Sequence, residues 1–180
     1  MKKSLTAVMA AVCLLFGCGR VDAEKEEPGY RDDVSAQALV EAVAQDLADE
    51  YWPDSTLAPE FLEDWYGISD EMYEEYYGQT PMISANVDTL IVVKAREDHL
   101  NEVEQALTAY RESVIKDTFQ YPMNIPKIQA SQIRTFGKYV CFVQLGGFME
   151  GIEDDEEAAI EVCRKMNEQA LSVMEGELTR

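Results

Sequence analysis

The residues with the clearest chemical potential form an acidic, aromatic segment between positions 51 and 77. Between Arg31 and Lys94 the sequence holds fifteen Asp or Glu residues and no Lys or Arg. Aromatic faces stack on sugar rings or hold organic cations, and nearby carboxylates add hydrogen bonds or charge. The other interpretation is a set of short amphipathic helices that bury the rings and expose the acids. The candidate ligand-binding residues are Trp52, Trp65, Tyr66, Tyr76 and Tyr77.

The same segment has the carboxylates that a glycosidase would need, because such an enzyme uses two opposed acids of unequal pKa. Five acids could supply that pair: Glu60, Glu63, Asp64, Glu74 and Glu75. The rest of the sequence shows no catalytic set. There is one histidine, His99, and there is no Gly-x-Ser-x-Gly turn, no glycine-rich phosphate loop and no Cys/His spacing suited to zinc. The sequence therefore predicts a non-enzymatic protein with no cofactor and no metal.

The charge of the chain limits its partners. The formal charge is -20 and the isoelectric point is near 4.2, so phosphate backbones are repelled and nucleic acid is not an expected partner. A second acidic run, Glu153 to Glu157, suits the N-terminus of a helix. Calcium is its alternative ligand, although the run lacks the alternating ligands and the glycine of an EF-hand loop.

The N-terminus looks like an export signal. Lys2 and Lys3 precede an apolar run that is too short to span a bilayer, and the run ends at Gly17-Cys18. This pattern resembles a bacterial lipobox, which predicts a signal peptide at 1–17 and a lipid, such as palmitate, on Cys18. Plain secretion with cleavage after Ala23 and an uncleaved anchor are the alternatives. Each of them places the protein outside the cytoplasm, and lipidation places it on the cell membrane.

The elements that must position the candidate residues follow from hydrophobic periodicity. Residues 18–34 are polar and predict a flexible tether, and residues 35–180 predict one domain. Helices are expected from Ser35 to about Tyr51, from Pro59 to Tyr66 and from Asp70 to Tyr77. A strand is expected over 86–95, a helix over 97–119, strands over 128–136 and 139–145, and a helix over 156–178.

The order of these elements predicts the fold class. From residue 86 the order is β-α-β-β-α, so we expect an α+β fold with a small mixed three-stranded sheet and helices on one face. This order resembles a ferredoxin-like half without its fourth strand, and the N-terminal helices are additional. Cys141 falls in a strand and Cys163 in a helix, where they form either a disulfide or two buried small residues.

Several separated segments also carry a resemblance to a family. They are Met82 to Asp88 (MISANVD), Gln120 to Asn124 (QYPMN), Lys127 to Ser131 (KIQAS) and Lys138 to Gly146 (KYVCFVQLG). Together with the lipobox, these segments resemble the small domain-of-unknown-function lipoproteins of low-GC Gram-positive anaerobes. The resemblance implies a cell-surface lipoprotein, and it implies no activity and no catalytic residue.

These observations lead to one expected function and one alternative. The expected protein is a lipid-anchored extracytoplasmic binding or accessory module that binds a protein partner or an extracellular ligand. The alternative is a carbohydrate-binding or carbohydrate-cleaving surface module that uses the segment 51–77. In both cases the membrane contact is the lipid on Cys18.

Overall fold

The computed structural model describes residues 29–83, 85–147, 151 and 155–180. The predicted signal peptide and Cys18 lie outside the described residues. Within the described ranges, no helix is both long enough and apolar enough to cross a membrane.

The described chain forms five α-helices and five β-strands. In chain order these are α1 (Ala36–Leu47), β1 (Ser55–Thr56), α2 (Pro59–Tyr66), β2 (Tyr73–Thr80), β3 (Thr89–Ala95), α3 (Leu100–Lys116), α4 (Ile125–Ala130), β4 (Gln132–Phe136), β5 (Tyr139–Gln144) and α5 (Glu156–Thr179). The fold class is α+β, as predicted.

The strands form one antiparallel sheet in the order β1-β2-β3-β5-β4. The prediction of a mixed three-stranded sheet is therefore wrong in strand number and in direction of pairing. In the centre of the sheet Val92 lies opposite Tyr77 of β2 on one side and Cys141 of β5 on the other. Strands β3 and β4 run parallel to each other, but β5 lies between them and pairs antiparallel with both.

Helices cover both faces of the sheet, whereas the sequence predicted helices on one face. Leu90 and Val92 point into a core cluster with α1 and α5, and Ile91 and Val93 point into a second cluster with α2 and α3. Alternate side chains of a strand face opposite sides, so the central positions of β3, Leu90 to Val93, are all apolar because both sides are covered. This double coverage explains the unbroken Leu-Ile-Val-Val run.

Strand β2 replaces a helix that the sequence predicted over 70–77. Ser69 and Gly78 look like helix caps, but Gly78 lies within the strand, where a Cβ would come within 3.2 Å of Ile91 and 3.3 Å of Leu57. A glycine is therefore needed for close packing of neighbouring strands. Pairing with β3 overrides the local helical pattern.

A short helix also replaces the first part of the strand predicted over 128–136. Pro126 stands in the first turn of α4, a position that proline favours because its missing N–H is not needed there. The strand begins only at Gln132, after Ser131 donates its hydroxyl to the carbonyl of Ile128 at 2.6 Å. The hairpin through Gly137 is confirmed, since β4 and β5 pair on either side of it and Gly137 has a φ of +55°.

The first described residues contact the domain. The Tyr30 hydroxyl donates to Glu175 at 3.0 Å, and its ring meets Phe136 edge-on at 5.5 Å. The amide of Arg31 donates to the carbonyl of Leu178 at 2.9 Å. Tyr30 and Arg31, which fall within the predicted tether, therefore pack against the domain.

The two cysteines of the domain are buried. Cys141 is a free thiol in the core cluster of α1 and α5, so it forms no disulfide with Cys163. Burial raises the pKa of Cys141 to about 12 and that of Cys163 to about 11. Both residues act as small core side chains.

Candidate functional site

Two loops meet at one end of the sheet and form a surface that we call the loop face. It consists of the β2–β3 connection (residues 81–83 and 85–88) and the segment 117–124 that follows α3. The two loops are joined by a hydrogen bond of 3.0 Å from Asn124 Nδ2 to the carbonyl of Ala85. Phe119 is 95% exposed. The large apolar side chains exposed on the loop face are Met82, Ile83, Phe119, Tyr121 and Met123. Exposed apolar groups at this density mark interaction sites.

A buried ion pair lies beneath the loop face. Lys127 Nζ is 2.8 Å from Asp88 Oδ1, and both side chains are almost completely buried. Lys127 Nζ also donates to Asn86 Oδ1 at 3.1 Å and lies 5.1 Å from the centre of the Trp52 ring. Burial raises the pKa of Asp88, and the charge of Lys127 opposes this rise. The ammonium is thus held by a carboxylate, an amide oxygen and an aromatic face.

A glycine gives the lysine its path into the core. A Cβ at Gly146 would lie 2.5 Å from Lys127 Cγ and 2.7 Å from its Cε, so the aliphatic chain of the lysine runs across the bare Cα. A larger residue at position 146 would displace Lys127 from Asp88. The Gly146 in the KYVCFVQLG segment therefore has a packing role at this site.

Hydrogen bonds between side chains and the backbone hold the β2–β3 connection in place. Gln144 Nε2 donates to the carbonyl of Val87 at 2.7 Å, and Thr89 Oγ1 donates to the same oxygen at 3.1 Å. Asn86 Oδ1 accepts from the amide of Asp88 at 3.1 Å. The connection is thus fixed to the sheet, and its apolar residues are presented on a rigid base.

A mainly apolar cavity of about 400 Å³ opens on the loop face. It is lined by Trp52, Asp54, Ile83, Asn86 and Met123, among others. A cavity of this size accepts a large side chain or a small ligand. Among the described lining residues Asp54 is the one acid, and its Oδ1 accepts a hydrogen bond from the Met82 amide at 2.7 Å.

A second, smaller cavity of about 160 Å³ lies on the other side of Asn86. Its walls come from α2, α3 and the end of β5, and they include Trp65, Tyr66, Tyr110 and Gln144. The rings of Tyr66 and Tyr110 lie 4.2 Å apart between centroids. Burial raises the pKa of both phenols, which therefore stay neutral at physiological pH.

The structure separates the five aromatic residues predicted to bind a ligand. Trp52 lines the larger cavity, whereas Trp65 and Tyr66 line the smaller one. Tyr76 packs in the core cluster of α2 and α3 and donates to the carbonyl of Leu57 at 2.9 Å. Tyr77 packs on the opposite face of the sheet, against the core cluster of α1 and α5. The segment 51–77 therefore supplies both core residues and cavity walls.

Asp88, Lys127 and Gln144 were not among the residues that sequence reasoning selected. Asp88 directly precedes the mainly apolar β3 and Gln144 ends the mainly apolar β5, and a polar residue next to an apolar run is a signal that could have identified them. Lys127 gave no local signal, because its burial depends on Gly146 and Trp52, which are distant in sequence.

The acidic run at 153–157 is described only from Asp155 onward. Asp155 Oδ1 accepts from the amide of Ala158 at 3.1 Å, so this residue caps α5. In the described part of the chain, no group of three His, Cys, Asp or Glu side chains could hold a metal ion.

His99 lies at the opposite end of β3 from the loop face, where its Nδ1 is 2.6 Å from Glu102 Oε2. The hydrogen bond to Glu102 raises the pKa of His99 above its model-compound value of 6.5. Stability from this pair is complete below the unfolded-state pKa and is lost as pH rises through the folded-state pKa.

We expect an NMR titration to give a His99 pKa above 6.5, and Glu102→Gln to lower it. The imidazole signals need no assignment by mutagenesis, because the sequence has one histidine. Glu112→Gln, a change nearly three turns further along α3, is the control and should leave the pKa unchanged. An unshifted His99 pKa in the unmodified protein would contradict the hydrogen bond.

Comparison with known proteins places the chain in a family. The molecule is an α+β domain that has a buried Asp–Lys pair and two cavities at the end of the sheet where the loop face lies. Residues 37–145 match the family described as a domain of unknown function (DUF4358), and the chain belongs to that family. The expected membership of a domain-of-unknown-function family is thus confirmed, while lipidation of Cys18 stays a prediction. No curated protein matches the chain, and no solved structure does.

Proposed function

We propose that the protein is a non-enzymatic binding module, anchored on the outer side of the cell membrane by a lipid on Cys18, that docks a protein partner on the loop face. The observation that carries this proposal is the cavity between Trp52, Ile83 and Met123, surrounded by exposed apolar side chains on a strongly acidic chain. Aromatic residues and methionine are enriched at protein interfaces, and a central pocket suits an anchoring side chain.

The position of the N-terminus supports this proposal. Tyr30 packs beside Phe136, at the hairpin end of β4 and β5, whereas Gln144 at the other end of β5 lies next to the loop face. A strand of six residues separates these two ends by roughly 17 Å. A lipid on Cys18 would therefore attach through the predicted tether to the end of the sheet opposite the loop face, which leaves that face free for a partner.

The chemistry of the partner follows from the charges. The cavity takes an apolar side chain, and Asp54 together with the net charge of -20 favours basic residues beside it. Binding is favoured over catalysis because Asp88 and Lys127 neutralise each other in the core and neither group is open to a substrate.

We expect a photo-crosslinking amino acid at Ile83 or Met123 to capture the same protein on intact cells. The matched control is the same amino acid at Glu97, an exposed position at the opposite end of β3, where no capture is expected. Capture from all three positions at equal yield would contradict a specific loop face.

The captured protein should then bind the purified chain, and Trp52→Ala should weaken that binding by about tenfold or more, because a central aromatic residue is lost. Phe61→Ala removes another exposed ring that does not line the cavity and should leave the affinity unchanged. Equal losses in both variants, or turnover of a glycan or peptide by the purified protein, would overturn the proposal.

We also propose that β3, α3, β4, β5 and α5 form a ferredoxin-like half. The support is that β5 lies between the two parallel strands β3 and β4, with α3 in the connection between them. Strand β2 pairs antiparallel with the outer side of β3 and takes the position of the missing fourth strand.

A further inference from the structure

One wall residue of the smaller cavity, Gln144, has a buried acceptor that no described residue uses. Gln144 is 3% exposed, and its Nε2 is committed to the carbonyl of Val87 at 2.7 Å, which fixes the orientation of the amide. Its Oε1 is buried and has no hydrogen-bond partner among the described residues. A buried acceptor without a partner is costly, so this oxygen calls for a donor that the described chain does not supply.

The walls of the cavity define what kind of donor fits. No Asp, Glu, Lys, Arg or His is among the described residues that line it. An ion would lose its hydration here and gain no opposite charge, so a neutral ligand is favoured. Thr89 Oγ1, which donates to Val87, keeps lone pairs that can accept a second hydrogen bond.

An aromatic platform stands at the edge of the same cavity. Trp65 is 55% exposed and is stacked on Phe61 with 4.5 Å between ring centroids. Tyr66 and Tyr110 form the deeper aromatic wall. Flat aromatic faces beside amide and hydroxyl acceptors suit a ring that has an apolar face and hydroxyl donors on its edge.

We propose that this cavity binds one neutral saccharide residue, with a sugar hydroxyl donating to Gln144 Oε1 and the sugar ring stacked on Trp65. This site is separate from the protein-docking cavity at Trp52, from which Asn86 and Pro81 divide it. It therefore adds a small-ligand activity to the proposed docking function and does not depend on that function.

The test is saturation-transfer NMR on the purified full-length protein with the methyl glycosides of glucose, galactose, mannose and N-acetylglucosamine. We expect saturation transfer to at least one of them. Trp65→Ala and Gln144→Met should each weaken its binding by about tenfold, because each removes one of the two main contacts. Tyr76→Phe removes a hydroxyl that lies outside the cavity and is the control, with no change expected.

Trp65→Ala keeps the test decisive if Gln144→Met does not fold, because the indole is largely exposed and its loss should leave the core intact. Three results would overturn the proposal: no transfer to any of the four sugars, sugar binding that survives Trp65→Ala, or a long-lived water beside Gln144 that the sugars do not displace. Loss of protein docking in the Trp52 variant would leave this result unaffected, so the two proposals fail separately.

Discussion

Replacing Asp88 with asparagine is expected to lower the free energy of unfolding by about 3–5 kcal/mol. The carboxylate is fully buried and lies 2.8 Å from Lys127 Nζ, whose side chain is itself 4% exposed. Removing the negative charge leaves a buried ammonium without its counter-charge, and the neutral Asn86 oxygen and Trp52 ring do not replace that charge. Urea unfolding with linear extrapolation measures the loss.

The control for this prediction is Glu74→Gln. Glu74 pairs with Lys94 at 3.6 Å and with Lys138 at 3.4 Å, but its side chain is 37% exposed and water screens both interactions. We expect a change of about 1 kcal/mol or less. Equal effects of Asp88→Asn and Glu74→Gln would contradict the prediction, since they would mean that Lys127 leaves the core without cost once Asp88 is neutral.

A double variant separates the effect of the two charges on stability from the effect of the volume that the two side chains fill. Burial raises the pKa of Asp88 even beside Lys127, so the ionised pair does not recover its whole desolvation cost. Asp88→Asn combined with Lys127→Met fills a similar volume without charge and should regain most of the stability lost in Asp88→Asn alone. Additive losses would instead show that each side chain stabilises the core through separate contacts.

The sequence predicted helix bounds best where the terminal residues have clear capping preferences. Helix α2 was predicted with its observed bounds, because Pro59 suits a first turn and Gly67 ends the helix with a φ of +70°. Ser35 accepts from the Ala38 amide at 3.1 Å as an N-cap should. These features depend only on residues close in sequence, so local reasoning is sufficient for them.

The errors came where distant contacts decide the structure. The sequence of β2 has local signals of a helix, and it is a strand because it pairs with β3. The run Leu90 to Val93 could have predicted helices on both faces, because a strand covered on one face alternates in polarity. The ion pair joins positions 88 and 127, and a lysine that will be buried looks like any surface lysine in the sequence. Trp52 and Trp65 were selected as binding residues, but no local pattern separates them into different cavities.

Replacing Asn167 with leucine is expected to lower the free energy of unfolding by about 3 kcal/mol, because two buried backbone groups lose their partners. Asn167 Oδ1 accepts from the amide of Leu145 at 2.8 Å, and its Nδ2 donates to the carbonyl of Ala130 at 2.9 Å. The asparagine is fully buried, so bulk water cannot reach these two backbone groups unless α5 moves away.

These two hydrogen bonds also position the ion pair. Ala130 ends α4, the helix that carries Lys127, and Leu145 precedes Gly146, across which Lys127 runs. In the leucine variant we therefore expect the Leu145 amide to exchange its hydrogen faster relative to amides in the centre of β5, as well as a lower urea midpoint. Faster exchange at the end of β5 would show a local opening of the base of the loop face, in addition to the global loss of stability.

The matched control is Gln169→Leu on the same helix. Gln169 is exposed, and its one side-chain partner among the described residues is Asp46, at 2.7 Å, so its loss should change stability by no more than about 0.5 kcal/mol. If Asn167→Leu were equally mild and left the exchange of Leu145 unchanged, a water molecule must be serving both backbone groups. The base of the loop face would then depend on contacts other than those of Asn167, and Gly146→Ala would be the variant with the larger loss.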